Sequence, residues 1–249
     1  MCGRFVLKAT PEEIADYLDL IGLDDFPARF NIAPTQPILV VLEGERQERG
    51  SNLPNRRAVL VRWGFLPGWV KDPKDFPLLI NARSETVIGK ASFRAAMRHR
   101  RVLIPATGFY EWRRPPKEEG GKPQPYFIRP KNGGIVAFAG LMETWSSADG
   151  SEVDTGAILT TAANAAIGRM PVVIAPEDFS RWLDCKTQEP REVADLMRPA
   201  QDDFFEMIPV SDKVNKVANV GADLIEPVPE SAPLAKIKPP KDEGQMSLF

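Results

Sequence analysis

The sequence predicts an α+β fold, in which antiparallel sheets of a single β-rich domain form a barrel-like core with short flanking helices. Short runs of β-branched and aromatic residues recur along the chain between turn-forming residues, a pattern typical of strands. Stretches with helical spacing are few, which favours the α+β class. With 249 residues, 43% of them hydrophobic, the chain can bury a sizeable core in one domain.

The first helix is expected directly after Thr10. Thr10 is a good N-cap, Pro11 suits the first helical position, and Glu13 completes a capping box. Apolar residues at helical spacing then continue to Ile21. Further helices are expected at residues 92–101, 176–183 and 190–197. Strands are expected at residues 38–42, 58–62, 102–105, 108–112, 126–128, 135–141, 157–161 and 204–210, with turns at 31–35, 132–134 and 148–150 and loops at 44–57 and 113–124.

Composition narrows the classes of function. A net charge of -2 and a pI near 5.7 argue against an indiscriminately basic nucleic-acid binder, although a local basic groove remains open. Two cysteines, Cys2 and Cys185, and one histidine, His99, are too few for a disulfide scaffold or a typical zinc site. We therefore expect no metal and no cofactor. Without a signal peptide or an apolar run of about 18 residues, a cytoplasmic protein with no membrane partner is expected.

The amino-terminal cysteine offers distinctive chemistry. Removal of Met1, which a small second residue normally allows, would leave Cys2 with an α-amine and a thiol on adjacent carbons. Their ordinary pKa values are about 8 and about 8.5, so both groups are partly nucleophilic near neutral pH. Such a 1,2-aminothiol condenses with an aldehyde to give a thiazolidine ring. The alternative is that Cys2 is an inert residue of a frayed or buried terminus.

Further candidate site residues lie among aromatic side chains or at the ends of predicted strands. Trp63 and Trp69 bracket a short run rich in turn residues, where aromatics serve either as core plugs or as platforms for unpaired bases. Asn81 and Arg83 follow an apolar strand and would supply an amide and a phosphate contact, or belong to an ordinary turn. Glu111 lies between two aromatics and points to the opposite face of its strand. It is either an ordinary exposed acid or, if held near Trp63 or Trp69, a carboxyl whose raised pKa suits acid–base work.

The last part of the chain differs in composition. Proline, lysine and small residues dominate from Glu226 onward, which predicts a domain at residues 1–228 and a disordered tail at 229–249. The tail ends in a polar residue and an apolar pair, the typical form of a short motif that inserts into a pocket. That motif is Gln245, Met246, Ser247, Leu248 and Phe249.

Several motifs in order resemble one family, the SOS-response-associated SRAP proteins. The resemblance covers about residues 1–228. It is carried by Met1-Cys2-Gly3-Arg4-Phe5, Asn31-Ile32-Ala33-Pro34-Thr35, Trp63-Gly64-Phe65-Leu66-Pro67-Gly68-Trp69, Asn81-Ala82-Arg83-Ser84-Glu85-Thr86, residues 101–112, Phe138-Ala139-Gly140-Leu141 and Arg169-Met170-Pro171-Val172.

The resemblance implies a sensor of abasic sites in single-stranded DNA. In the family the amino-terminal cysteine links to the ring-opened sugar aldehyde and leaves a thiazolidine DNA–protein crosslink that shields the lesion. Carried over, Cys2 is the nucleophile, Asn81 positions the sugar and the cysteine, and Glu111 assists proton transfer. The implied DNA-binding residues are Arg4, Trp63, Trp69, Arg83 and Arg169. Such a protein would be nucleoid-associated when bound to DNA.

One motif departs from the family pattern. A histidine normally stands two residues before the Arg-Met-Pro motif, whereas the run ending at Arg169 has none and looks about four residues short. That histidine is implicated in sugar opening, lyase activity and crosslink reversal. His99 lies on another segment and does not replace it. We therefore expect this chain to crosslink through Cys2 and Glu111 more slowly than a full family member.

Two alternatives and one partner accompany this interpretation. The chain could be a single-stranded DNA-binding module that has lost its chemistry, or a peptidase that processes itself, a role for which no Ser/His/Asp or Cys/His pair can be assembled. The carboxyl-terminal pentapeptide is similar to those by which bacterial replication proteins bind the β sliding clamp, with Met246 where leucine is commonest.

Overall fold

The computed structural model describes residues 2–44, 55–114, 122–162 and 167–230. Its helices are α1 (Pro11–Leu18), α2 (Arg94–His99) and α3 (Phe179–Leu183). Its strands are β1 (Phe5–Leu7), β2 (Arg29–Ile32), β3 (Pro37–Glu43), β4 (Arg56–Trp63), β5 (Asn81–Arg83), β6 (Arg101–Ala106), β7 (Gly108–Arg113), β8 (Gln124–Pro130), β9 (Val136–Ser146), β10 (Glu152–Thr161), β11 (Met170–Pro171), β12 (Val173–Ile174) and β13 (Phe205–Pro209).

Five strands close into a barrel, as the fold class predicted. Around the ring, β4 pairs with β3, β3 with β6, β6 with β9, and β9 with β10, all antiparallel. The ring closes through a short parallel pairing of β10 with β4, at Thr155 opposite Arg62 and Gly156 opposite Trp63. β5 adds a second parallel pairing on β10. The antiparallel expectation therefore holds for all but these two contacts.

A second, open sheet carries the amino terminus. Its strand order is β13-β8-β7-β1-β2, and every neighbouring pair is antiparallel. Phe5 of β1 crosses to the barrel, where its ring centroid lies 5.3 Å from that of Trp63 and 6.3 Å from that of Phe138. Phe109 of β7 also contacts Phe138, at 6.0 Å. One hydrophobic core thus spans both sheets.

The first helix begins as its sequence predicts and ends early. The Thr10 side chain accepts a hydrogen bond from the Glu13 amide, and the Glu13 carboxylate accepts one from the Thr10 amide, which confirms the capping box. Asp19 then adopts a left-handed conformation, with φ of 52°, and closes the helix. Ile21 therefore lies outside the helix and is exposed.

Other predicted element ends shift in the structure. The helix expected at residues 92–101 is only Arg94–His99, and Arg101 already belongs to β6. The helix expected at 190–197 is a single 3-10 turn, Ala194–Leu196. Arg113 and Gln124 were expected in a loop. In the structure they are strand residues that lie opposite each other, at the end of β7 and the start of β8. Residues 115–121 between them lie outside the described part of the chain.

The carboxyl-terminal segment packs against the open sheet close to the end of the described residues. Val210 forms a β-bridge with Pro227, and the Val228 amide donates to the Pro209 carbonyl at 2.9 Å. The chain is described through Glu230, so the shift in composition at residue 226 precedes the last packed contacts. The predicted tail falls almost entirely on residues 231–249, which lie outside the described residues.

Gly108 allows β7 to lie close to β8. A methyl group added at this position would come within 2.5 Å of the Ile128 carbonyl oxygen and of the Phe127 ring. Any larger residue would separate the two strands. Glycine at the start of β7 thus sets the placement of the residues that follow it, among them Glu111.

Arg101 is a buried structural residue. It is 1% exposed, and its guanidinium donates hydrogen bonds to four carbonyl oxygens. The acceptors are Trp182 at 2.6 Å, Asp184 at 2.7 Å, Met97 at 2.8 Å and Gln188 at 3.0 Å. Arg101 was expected as the last residue of a helix, where a positive charge suits the helix dipole. In the structure it instead ties α2 and α3 to the barrel.

Arg101→Met should strongly destabilise the protein. The substitution leaves four buried carbonyl oxygens without their donor, so we expect the free energy of unfolding to fall by about 3 kcal/mol or more. Urea unfolding followed by circular dichroism measures this loss. Arg94→Ala, on the exposed side of α2, is the control and should change stability little. Equal stability of the two variants would contradict the structural role of Arg101.

Candidate functional site

Cys2, three residues before β1 begins, is buried and is hydrogen-bonded to Asn81. Its side chain is 0% exposed. The Asn81 amide nitrogen Nδ2 donates to the Cys2 carbonyl oxygen at 2.8 Å. Asn81 begins β5, where it pairs with Ile158 of β10, so the barrel positions the amide. Its oxygen, Oδ1, is buried and has no hydrogen-bond partner among the described residues. The structure thus brings two predicted site residues together and leaves one acceptor open.

Glu111 lies close enough to Cys2 for their charges to interact. It is the fourth residue of β7, the strand that pairs with β1 at Phe5 and Phe109. Burial, and after it the negative charge of Glu111, raise the pKa of the Cys2 thiol to about 12, although the amino-terminal charge acts in the opposite direction. The three predicted catalytic residues therefore converge on one place.

The pKa of Glu111 is also raised. Burial of its carboxyl group is the main cause, because a charge is costly where water is excluded. The positive charges of the amino terminus and of Arg113 lower the pKa and partly offset this effect. A protonated thiol beside a carboxyl group with raised proton affinity is an arrangement suited to proton transfer.

Two arginine side chains lie near the end of β5, the strand that Asn81 begins. Arg83 is exposed at the end of β5, opposite Thr160 of β10. Arg169 approaches the same strand and donates to the Thr160 carbonyl at 3.0 Å. It also forms a two-point ion pair with Glu85, at 3.1 and 3.0 Å. Arg83 and Arg169 are thus neighbours, but only Arg83 presents its charge without a paired carboxylate in the described structure.

Arg4 is engaged within the protein. Its guanidinium donates to Asn31 Oδ1 and to the Val214 carbonyl, both at 2.7 Å, and to the Asn215 carbonyl at 3.3 Å. The Arg4 carbonyl accepts a hydrogen bond from the Tyr110 amide at 2.9 Å. Arg4 therefore anchors the amino-terminal segment to residues 214–215, and its predicted contact with DNA remains a prediction.

The two tryptophans of the aromatic run have different surroundings. Trp63 is 0% exposed, and its indole N–H donates to the Ile80 carbonyl at 2.9 Å. With no open face it cannot stack on a base, so its expected DNA contact is corrected to a core role. Trp69 is 62% exposed and meets only the edge of Phe76 among described aromatic rings, at 5.5 Å. Of the pair, Trp69 is available for stacking.

Arg113 and Glu85 are site residues that sequence reasoning missed. The sequence predicts a loop from residue 113, because proline, glycine and charged residues follow it. Extending the predicted strand by one residue would have placed Arg113 on the same face as Glu111, since side chains two positions apart share a face. Glu85 lies within the predicted motif, but its pairing with Arg169 depends on the distant contact between β5 and β10.

The described part of the chain shows neither a metal-binding cluster nor a membrane-spanning helix. No group of three or more histidine, cysteine, aspartate or glutamate side chains there could hold a metal ion. None of its helices has the length and apolar character needed to cross a membrane. Ile167 stands two residues before Arg169, where the family pattern has a histidine, and it is buried. Residues 163–166, which precede it, lie outside the described residues.

A model of the SOS response associated peptidase (SRAP) family matches residues 1–217. The chain belongs to the SRAP family. Abasic site processing protein YoqW of Bacillus subtilis (strain 168) is 37% identical over 237 residues, which cover 91% of this chain and 99% of that protein. Abasic site processing protein YedK of Escherichia coli (strain K12) is 35% identical over 244 residues, covering 92% and 100%.

A solved structure shares the SRAP fold of this chain. The crystal structure of a protein from Bacteroides thetaiotaomicron superposes with a TM-score of 0.73 and covers 91% of this chain and 100% of that one. At 21% identity, this likeness concerns the fold alone. The family assignment and the β-rich fold class drawn from the sequence are both confirmed.

Glu111→Gln should make the Cys2 thiol more reactive toward iodoacetamide. Loss of the carboxylate lowers the pKa of the thiol, and the thiolate is the reactive form. Since burial remains the main cause of the shift, we expect an increase of about threefold to tenfold at fixed pH. Peptide mass spectrometry reports the rate, with Cys185 of the same molecule as an internal reference. An unchanged or slower rate would show that Glu111 does not act on Cys2.

Proposed function

We propose that this SRAP chain senses abasic sites in single-stranded DNA and crosslinks to them through Cys2 after loss of Met1, shielding the lesion. The observation that carries the proposal is the convergence of Cys2, Asn81 and Glu111 from three separate segments. Its support from outside the structure is family membership, together with relatives named abasic site processing proteins.

The reaction needs protons to move at two stages. An abasic sugar is mostly a closed hemiacetal, so it must open to the aldehyde before attack. The Cys2 amine then condenses with the aldehyde carbon and releases one water, which gives an imine. The thiol adds across this C=N bond, sulfur to carbon and proton to nitrogen, and closes the thiazolidine. No oxidant or reductant is required.

Glu111 would carry these protons. Its raised pKa makes it a better proton acceptor than an ordinary carboxylate, and in its protonated form it is a donor within the same site. The thiol needs such a neighbour because its own pKa, about 12, keeps it protonated near neutral pH. Opening of the sugar, loss of water and closure of the second ring would use the same carboxyl group.

Asn81 would act on both reactants. Its Nδ2 already holds the Cys2 backbone at 2.8 Å, which orients the amine and thiol. Its buried Oδ1, open among the described residues, is available to a hydroxyl group of the opened sugar. Holding both partners in one geometry turns the encounter into an effectively intramolecular step.

The surrounding surface suits a single strand. Arg83 offers an exposed cation beside Asn81 for a phosphate, and Arg169 lies next to it in the pair with Glu85. Trp69 offers an exposed ring for an unpaired base. These contacts would give affinity that depends on salt but hardly on sequence.

Intact mass after reaction with abasic single-stranded DNA tests the function. We expect a heat-stable adduct with the mass of the protein without Met1, plus the oligonucleotide, minus one water. Cys2→Ser should form no stable ring, and Glu111→Gln should form the adduct at least about tenfold more slowly, as for loss of an acid–base group.

Other outcomes of that experiment support the alternatives. No adduct from the unsubstituted protein, with equal affinity for intact and abasic strands by fluorescence anisotropy, would favour a DNA-binding module without chemistry. Cleavage of the chain beyond Met1 would favour a self-processing peptidase. Because no histidine precedes Arg169 in this sequence, the adduct should form more slowly than with a family member that carries one.

The carboxyl terminus supplies a proposed partner. Gln245 to Phe249, outside the described residues, is similar to pentapeptides that bind the bacterial β sliding clamp. Such tethering would raise the local concentration of the protein at replication forks without altering the site.

Deletion of residues 245–249 should abolish clamp capture in a pull-down. Replacing only Leu248 and Phe249 with alanine should have the same effect, because the apolar pair would fill the pocket. Crosslinking to an abasic oligonucleotide without clamp present serves as the control and should be unchanged. Clamp binding that survives both changes would refute the proposal.

A further inference from the structure

The strand that carries Glu111 ends in a second charged residue on the same face. β7 runs from Gly108 to Arg113, so Glu111 and Arg113 are two positions apart in regular strand structure. Across the antiparallel pairing, Tyr126 of β8 lies opposite Glu111. A carboxylate, a guanidinium and a phenol therefore share one patch of the open sheet.

The guanidinium is held by aromatic and acidic neighbours. Arg113 Cζ lies 6.0 Å from the centre of the Tyr126 ring, within the range of a cation–π contact. The Tyr126 hydroxyl donates to a Glu230 carboxylate oxygen. One guanidinium nitrogen, Nη2 of Arg113, is buried without a hydrogen-bond partner among the described residues. The negative charges of Glu111 and Glu230 both act on this guanidinium.

The segment that ends at Glu230 holds Tyr126, and through it Arg113, in place. The Val210–Pro227 bridge and the Val228 amide, which donates to the Pro209 carbonyl, lay the segment beside β13. Glu230 follows directly and reaches Tyr126, which is 2% exposed. These contacts lie beyond residue 217, where the match to the family model ends.

We propose that Arg113 is a positioning residue for Glu111, held in place by Tyr126 and Glu230, and that its positive charge favours the ionised Glu111 carboxylate, the form that accepts a proton. A buried carboxylate is disfavoured, and a nearby cation restores it. The consequence for crosslinking rests on the proposed function; the electrostatic effect on Glu111 does not.

The charged and titratable groups that face Glu111 come from three parts of the chain. The amino terminus and the Cys2 thiol precede β1, Arg113 lies on β7 itself, and Tyr126 lies on β8. The amino terminus and Arg113 favour ionised Glu111. Glu230 acts on this group through Arg113 and Tyr126. Removal of Arg113 leaves the amino terminus as the remaining nearby cation.

Titration of the Glu111 carboxyl by carbon-13 NMR tests the inference directly, with its resonance assigned by its loss in Glu111→Gln. In Arg113→Gln, we expect the midpoint to move upward by up to about one pH unit, since an opposite charge nearby lowers the pKa of a carboxyl and Arg113 is a smaller influence than the amino terminus. Arg113→Lys, which keeps the charge, should lie close to the unsubstituted protein. An unchanged or lowered midpoint in Arg113→Gln would overturn the proposal.

Two further variants serve as a control for the removal of a guanidinium and as a second test of Arg113. Arg129→Gln removes a guanidinium of the neighbouring strand, one that is paired with Glu206 at 2.6 Å, and should leave the Glu111 midpoint unchanged. Arg113→Met removes the charge while keeping an apolar stem for the buried position, should Arg113→Gln fold poorly. It should show the same upward shift, and absence of that shift would likewise overturn the proposal.

The pH dependence of crosslinking separates this inference from the proposed function. If Glu111 is the proton acceptor, the rising limb of the rate should move to higher pH in Arg113→Gln in step with the NMR midpoint. A shifted NMR midpoint without any adduct would support the role of Arg113 and count against the proposed function. An adduct with an unshifted midpoint would support the function and count against Arg113.

Discussion

Burial of the amino-terminal strand is the constraint on which the rest of the structure depends. β1 lies between β7 and β2, and its Phe5 enters the core against Trp63 and Phe138 of the barrel. Because interiors are close-packed, this ring cannot move without disturbing both sheets. The start of the chain, commonly a frayed end, is here a fixed point, and Cys2 is placed by the core.

Burial also determines the chemistry that the site can perform. Excluding water raises the pKa of the Cys2 thiol and of the Glu111 carboxyl, so each group binds its proton more tightly than it would in water. A buried polar site of this kind is costly for stability. The cost is offset by an extensive apolar core and by polar groups, such as the Asn81 amide, that are satisfied where they hold the backbone.

Local features of the fold could be predicted from the sequence, and features that depend on distant neighbours could not. The capping box at Thr10 and the glycine turns at Gly133 and Gly150 follow from nearby residues, and the structure has them. The roles of Trp63 and Trp69 could not be separated, because two equivalent aromatics of one run diverge only when Trp63 meets Phe5. Arg101 likewise reads as a helix-end charge until α3 covers it.

By itself the sequence determined the family and the β-rich fold class, and it named Cys2, Asn81 and Glu111 as candidate site residues, since motif order and residue chemistry are written along the chain. Only the tertiary structure decided that these residues meet, that a parallel contact closes the barrel, and that Arg113, Tyr126 and Glu230 form one cluster. The reason is physical: proximity, exclusion of water and the balance of neighbouring charges arise between segments far apart in sequence, and no local pattern encodes them.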